Sequence, residues 1–350
     1  MATSKRDYEV TGLGGLGKWK RNGRLGKAYV IPKDKDLQHW RPIAPACGDP
    51  AVMAQRRCAR APNCLITRFP RVRHFNLRSA YEMKRELDQF GSLLQKEGCS
   101  MAMGRCYDIK EMFSSISHSF VKDAVSELVM YFEKRGWRQV RVANRGKLCQ
   151  MSKTTRREEG YTTVKLDMLH IMVEYDLSHP YMMHGDVIRR QLVGIPMGKT
   201  TSPVLATVTC AMAEARFLSN LGADRRIVMA WRMVDDVSIV VGCTGEEESW
   251  ERAERILQSF KSIYDEELKL IRKDEGAHTW QFIGGRMYVM AEPVQVHFIQ
   301  ETKNCESFAV GVRSVTNPCR TMRVTLISEL KREFFGPLLR GCGTRQRRRP

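Results

Sequence analysis

Two apolar runs, residues 227–234 (IVMAWRMV) and 237–241 (VSIVV), meet at an adjacent acidic pair, Asp235 and Asp236. Runs this short and this rich in β-branched residues predict two strands turning back on each other at the pair. Asp favours turns, so a solvated hairpin tip is one reading. The other is a cation, because each carboxylate held between apolar strands loses several kcal/mol of hydration unless a positive charge compensates it. Upstream, MAMGRCYDI (101–109) is a short strand candidate with Asp108 near its end, and FVKDAVSELVMYFEK (120–134) has helical spacing. A third carboxylate at a strand end, followed by a helix, is well placed to face the same cleft.

Around these elements the pattern is mixed. Residues 76–98 carry Leu77, Tyr81, Leu87, Phe90 and Leu94 at three-or-four spacing and predict a helix, as do 164–177, 202–221 and 250–264. YMMHGDVIRRQLV predicts two strands turning at Gly185-Asp186, and WQFIGGRMYVM and VQVHFIQ predict short strands. Residues 135–163 read as basic and irregular, and the start, with Gly12, Gly14, Gly15 and Gly17, as flexible.

Lys and Arg number 58 against 39 Asp and Glu, a net +19, which attracts a polyanion and makes nucleic acid the first partner to consider. The bias is strongest in residues 1–75, with 16 Lys or Arg and 5 Asp or Glu, and in the tail 331–350, with seven and one. No run approaches the roughly 18–20 apolar residues of a spanning helix, and the start lacks a signal peptide's apolar core, so no membrane partner is expected. Eleven cysteines are scattered singly, without CxxC pairs, and predict reduced thiols in an intracellular protein. Cys58 and Cys64 with His39 or His74 are a weak candidate zinc set.

The ordered motifs resemble those of reverse transcriptases. DIKEMF (108–113) is similar to their first metal-binding motif, with an aromatic gate at its fifth following position. QLVGIPMGKTTSPVLA (191–206) resembles the loop and helix that cradle the incoming nucleotide, and RMVDDVSIVV (232–241) the catalytic acidic hairpin. KAYVIPKDKDLQHWRPI (27–43) resembles the fingers segment that grips the triphosphate. YDEELKLIRK (264–273) and FIGG (282–285) stand where the lysine motif and the primer grip belong. The likeness leans toward Penelope-like and telomerase-type retroelement enzymes, with Met233 and Met197 departing from the usual residues.

The resemblance implies an α+β, right-hand polymerase of fingers, palm and thumb, its antiparallel palm sheet backed by helices. A flexible basic segment is expected at 1–26 and fingers with the first palm strand at 27–107. The palm is expected at 108–290, with a fingers/palm insertion at 135–190, and a short basic thumb and tail at 291–350. The implied activity is RNA-directed DNA synthesis with an RNA template, a DNA or RNA primer and dNTPs. Two Mg2+ ions, or Mn2+, would be held by Asp108, Asp235, Asp236 and the Ile109 carbonyl. Lys33, Lys35 and Arg41 would hold the triphosphate. Phe113 would act as the sugar gate, and Gln191, Gly194, Pro196 and Gly198 as the nucleotide loop. Lys273, ahead of Lys269, would protonate pyrophosphate, and Phe282, Ile283 and Gly284 would form the primer grip.

Rival readings are an RNA-dependent RNA polymerase and a catalytically weak, maturase-like RNA-binding protein. GIPMGKTT lacks one residue of a P-loop, and GLGGLG (12–17) fits a dinucleotide fingerprint without the strand that should precede it.

Overall fold

The computed structural model describes residues 2–301 except 34, 35, 265, 267, 275 and 277. Lys35, the basic tail and all but the start of the expected thumb lie outside the described residues.

The centre is a four-stranded antiparallel sheet in the order β11 (Leu270–Arg272), β3 (Met101–Ile109), β10 (Asp236–Cys243) and β9 (Val228–Met233). Side chains alternate across it. Met103, Tyr107, Ile109, Val237, Ile239 and Val241 face the main core, shared with α5 (His118–Glu133), α7 (Ser202–Asn220) and α8 (Glu247–Phe260). The opposite face, with Ala102, Cys106, Trp231 and Val240, is covered by α3 (Ala80–Lys96) and by a sheet of β12 (Thr279–Phe282), β13 (Gly285–Ala291) and β14 (Val294–Gln300). Gly104 allows this second packing. A Cβ there would lie 1.8 Å from the Trp280 ring, whose indole N–H donates to Ser238 Oγ at 2.9 Å.

Several expectations need correction. The glycine-rich start is packed, not flexible: α1 (Ala2–Val10) buries Tyr8, which donates to the Gly17 carbonyl at 2.5 Å, and Leu13 and Leu16 join the core. Gly17 is there for close approach, since a Cβ would sit 2.6 Å from the Ala54 amide nitrogen. Its partner α2 (Val52–Arg68) has no counterpart in the expected elements. Residues 135–163 are not irregular. They supply β4 (Gln139–Ala143), β5 (Cys149–Ser152) and the start of β6 (Tyr161–Lys165), an antiparallel sheet in the order β5-β4-β6. Because β6 pairs with β4, the helix expected from residue 164 begins later, as α6 (Asp167–Ser178). The expected hairpin forms as β7 (Tyr181–His184) and β8 (Val187–Arg190), and β1 (Tyr29–Lys33) pairs with β2 (Asp36–Ile43).

Candidate active site

Strand pairing, rather than proximity in sequence, gathers the carboxylates. Asp108 and Asp236 are direct cross-strand partners on β3 and β10. They fall on the same face by alternation, at the end of the sheet. Asp235 occupies the turn from β9 into β10 with Val234, whose φ is 60°, and its carbonyl accepts from the Ile109 amide at 2.9 Å. That bond ties the turn to the end of β3. Burial, reinforced by the charges of Asp236 and Asp108, pushes the Asp235 carboxyl up to about 6. The site holds more negative charge than its surroundings solvate.

Lys273 answers part of that charge. Its Nζ donates to Asp108 Oδ1 at 2.7 Å and to Asp236 Oδ1 at 2.9 Å, while its backbone amide donates to the Cys106 carbonyl. Partial burial works against the charged ammonium, but the bonds to both carboxylates outweigh it and hold the proton well above the usual lysine range. With the ammonium seated there, no group of three or more His, Cys, Asp or Glu among the described residues is gathered to hold a metal ion.

The loop 191–201 is tied to the segment that follows β3 and to the residue after β2. The Ile195 amide donates to the Phe113 carbonyl at 2.7 Å, His118 Nε2 lies 2.8 Å from the Gly194 carbonyl, and the Ala44 amide donates to the Met197 carbonyl at 2.7 Å. Both glycines are sterically required. At Gly194 (φ 74°) a Cβ would meet the Ser114 carbonyl oxygen at 2.5 Å, and at Gly198 (φ 125°) the Ala44 carbonyl oxygen at 2.5 Å. Pro196 is buried and its carbonyl accepts from Ser202 Oγ at 2.7 Å. Gln191 folds back on the Val193 carbonyl at 2.9 Å.

The remaining expected residues are more dispersed. Phe113, in α4 (Met112–Ser115), is half-buried against the main core, and Ile109 is buried, leaving only its main chain for a ligand role. Arg41 lies on β2 opposite Ile31, and Lys33 ends β1. Phe282 is buried in the second core, while Ile283 (φ 40°) and Gly284 (φ 78°) form the turn joining β12 to β13. A β-branched residue at positive φ is a strained choice for a simple turn.

Two buried polar clusters escape sequence reasoning. Arg232, fully buried on β9, donates through Nε to Glu214 on α7 and through Nη1 to the Val234 carbonyl at 3.2 Å, directly before the acidic pair. Glu214 also accepts from the Tyr264 hydroxyl at 2.9 Å and the Phe75 amide at 2.8 Å. The available signal is a charged residue interrupting an apolar strand (IVMAWRMV) and another interrupting an apolar helix (TCAMAEARF). In the second cluster Lys199 Nζ donates to Asp176 Oδ1 at 2.8 Å and Thr201 Oγ1 to Asp176 Oδ2. Lys199 is 5% exposed and already committed, so the P-loop reading fails. The dinucleotide reading also fails, because residues 12–17 follow helix α1 instead of a strand. The zinc set does not form among the described residues: Cys58, Cys64 and His74 are separately buried.

The fold is similar to that of solved telomerases. Telomerase from Candida tropicalis in complex with a TWJ fragment of telomeric RNA aligns at TM-score 0.55 and 12% identity, over 94% of this chain and 51% of that one. Apo telomerase from the same yeast aligns at TM-score 0.54, 13% identity, 85% and 53%, and telomerase from Candida albicans with a TWJ fragment of telomeric RNA at 0.52, 13%, 90% and 57%. The chain spans about half the length of these telomerases, and at such identity the likeness is one of fold. No protein family and no curated protein matches the sequence. Among the described residues no helix is long and apolar enough to cross a membrane.

Proposed function

We propose that this chain is a nucleic-acid polymerase of the reverse-transcriptase type, adding dNTPs to a primer 3′-hydroxyl along an RNA template. The observation that carries the proposal is the cross-strand pairing of Asp108 with Asp236, with Asp235 half-buried in the adjoining turn. The paired Asp108 and Asp236, with Asp235 near enough to feel both charges, offer hard oxygen donors and surplus negative charge, the chemistry that suits Mg2+ or Mn2+. Asp108, Asp235 and Asp236, with the Ile109 carbonyl, are the groups that would hold two such ions. When bound, the ions would supply Lewis-acid activation of the primer hydroxyl and neutralise triphosphate charge.

The chain's own residues supply the rest. Lys273 has to leave the two carboxylates before they can ligate an ion. Released from them, its ammonium would be free to donate a proton to departing pyrophosphate. The 191–198 loop, fixed to Phe113 and Ala44, offers a surface for a nucleotide, and Arg41, with Lys33 and Lys35, would hold phosphates by charge-assisted bonds. The Phe113 ring would exclude a ribose 2′-hydroxyl. The 282–284 turn is the proposed primer contact, and the 27–107, 108–290 and 291–350 segments the proposed fingers, palm and thumb.

The seated Lys273 favours a second reading, an RNA-binding protein with little turnover. Primer extension on RNA and DNA templates, with Mg2+ or Mn2+, dNTPs or NTPs, and Asp235→Ala as control, separates the two. Metal-dependent dNTP incorporation on RNA, absent in the variant, is expected. Incorporation of NTPs alone would make the chain an RNA-dependent RNA polymerase, and RNA binding without incorporation would establish the second reading.

A further inference from the structure

Residues 134–165 hold ten Lys or Arg and two Glu, so this segment alone supplies eight of the chain's net +19. Nine of the ten cations are exposed. The tenth, Arg141, is paired with Glu158 at 2.5 Å, which removes one of the two acids from the surface balance. None of this charge takes part in the site proposed above.

The segment is firmly fastened. Val140, Val142 and Val164 bury the inner face of the β5-β4-β6 sheet, and α2 grips its edge: Arg60 donates to the Ala143 carbonyl at 2.8 Å and the Leu148 carbonyl at 3.0 Å. Where α5 runs into β4, two half-buried aromatic rings each carry a cation. The Arg135 guanidinium lies 3.4 Å from the Tyr131 ring centroid, and the Lys153 ammonium 5.4 Å from that of Trp137. Cations alternating with aromatic rings on a fixed surface form the combination that grips a phosphate backbone while bases stack. The corner is also remote from the carboxylates. The first turn of α5 adjoins the 194–198 loop through His118, and sixteen residues of helix carry the other end roughly 24 Å along its axis.

We propose that this corner, the end of α5 with the β5-β4-β6 sheet, is a docking site for single-stranded nucleic acid, separate from the carboxylate site. A single strand fits better than a duplex, because only an unstacked base can use the Trp137 ring, while Tyr131, packed by Phe69, serves to seat Arg135. The proposal needs no catalytic turnover and stands apart from the polymerase reading.

The test uses the full chain and fluorescently labelled, unstructured RNA and DNA oligonucleotides of roughly 20 nucleotides. Binding is followed by anisotropy across a salt series, with hydrogen exchange on the complex. In the triple variant Arg138→Gln, Lys153→Gln and Arg157→Gln, the slope of log affinity against log salt is expected to shrink by about 2, near 0.7 per lost phosphate contact. Trp137→Ala is expected to weaken binding about tenfold with little change in slope, and amides within 134–165 should gain protection on binding. Should Trp137→Ala fold poorly, the triple variant decides, since its three positions are exposed. Binding by RNA, DNA or both with these signatures supports the site, and the better ligand reports its sugar preference. An unchanged salt slope in the triple variant, absence of protection in 134–165, or binding to phosphatidylserine vesicles that neither oligonucleotide competes away would overturn it.

Discussion

Asp235 is the residue at which stability and activity pull in opposite directions. Its folded pKa is about 6 against an ordinary 3.8, raised by burial and by its two acidic neighbours, so the folded chain binds that proton more tightly than the unfolded chain does. The ionised form therefore costs stability above pH 6, and the cost disappears as pH falls from about 6 toward 4. At roughly 1.4 kcal/mol per unit, the ceiling is about 3 kcal/mol. Asp235→Asn should accordingly raise the metal-free melting temperature at pH 8, with a gap to wild type that closes by pH 4, while primer extension falls by about 1000-fold or more. A melting temperature that is lower at pH 8 would contradict the buried-charge account. Arg232 works at the same turn from behind. Arg232→Ala leaves Glu214 buried without its cation and should cost about 3–5 kcal/mol in denaturant unfolding. Arg232→Lys retains the charge but cannot span both Glu214 and the Val234 carbonyl. Its expected signature is a reduced kcat with near-normal nucleotide KM, since it disturbs the carriage of the acidic pair and not the nucleotide loop.

At the scale of elements, the 194–198 loop and the 282–284 turn make separate predictions. Gly198→Ala adds a Cβ against the Ala44 carbonyl and forces an L-residue to φ 125°. A loss of about 1–3 kcal/mol and a raised nucleotide KM are expected, measured by denaturant titration and steady-state kinetics. Ile283→Gly relieves φ 40° but removes a side chain packed against the second core, so the two effects oppose each other and the melting temperature should shift little. If that turn contacts the primer, extension weakens all the same, and a variant of near-normal stability with unchanged primer KM would remove the primer-grip role. These elements also show what was legible in the sequence. The β9–β10 hairpin and α5 could be read because most of their buried positions hold Val, Ile, Leu or Phe, and β3 and α7 because a short and a long mostly apolar run mark elements buried on nearly every side. Helix α2 could not, because between Val52 and Leu65 its buried positions hold Ala54, Gln55, Cys58, Ala61, Pro62 and Cys64, too small or too polar to draw a stripe. The β5-β4-β6 sheet was hidden because its short strands are separated by basic loops. The acidic trio was legible as residues, but Lys273 bridging two of its members follows from strand β11 and the segment after it, which no local pattern announces. Glu214 and Arg232 were visible only as interruptions, and their pairing depends on α7 packing against β9.

For the whole molecule, a surplus of +19 on 350 residues is a standing self-repulsion that compactness makes worse. Two consequences follow from the same charge. Moderate salt should stabilise the free chain by screening, whereas a bound polyanion should stabilise it more at low salt than at high, because its affinity falls as counterions compete. Ligand at about 100 times its Kd adds about 2.7 kcal/mol, enough to raise the melting temperature by several degrees. Thermal unfolding with and without single-stranded RNA, at about 50 and about 300 mM KCl, reads both effects at once. The expected pattern is a melting temperature that climbs with salt in the free chain while the RNA-induced increment shrinks. Polyaspartate at equal charge separates simple neutralisation from recognition. If it matches RNA at both salts, charge alone accounts for binding; an RNA increment that survives at the higher salt, where polyaspartate's has gone, requires stacking and groove contacts that only a nucleic acid supplies.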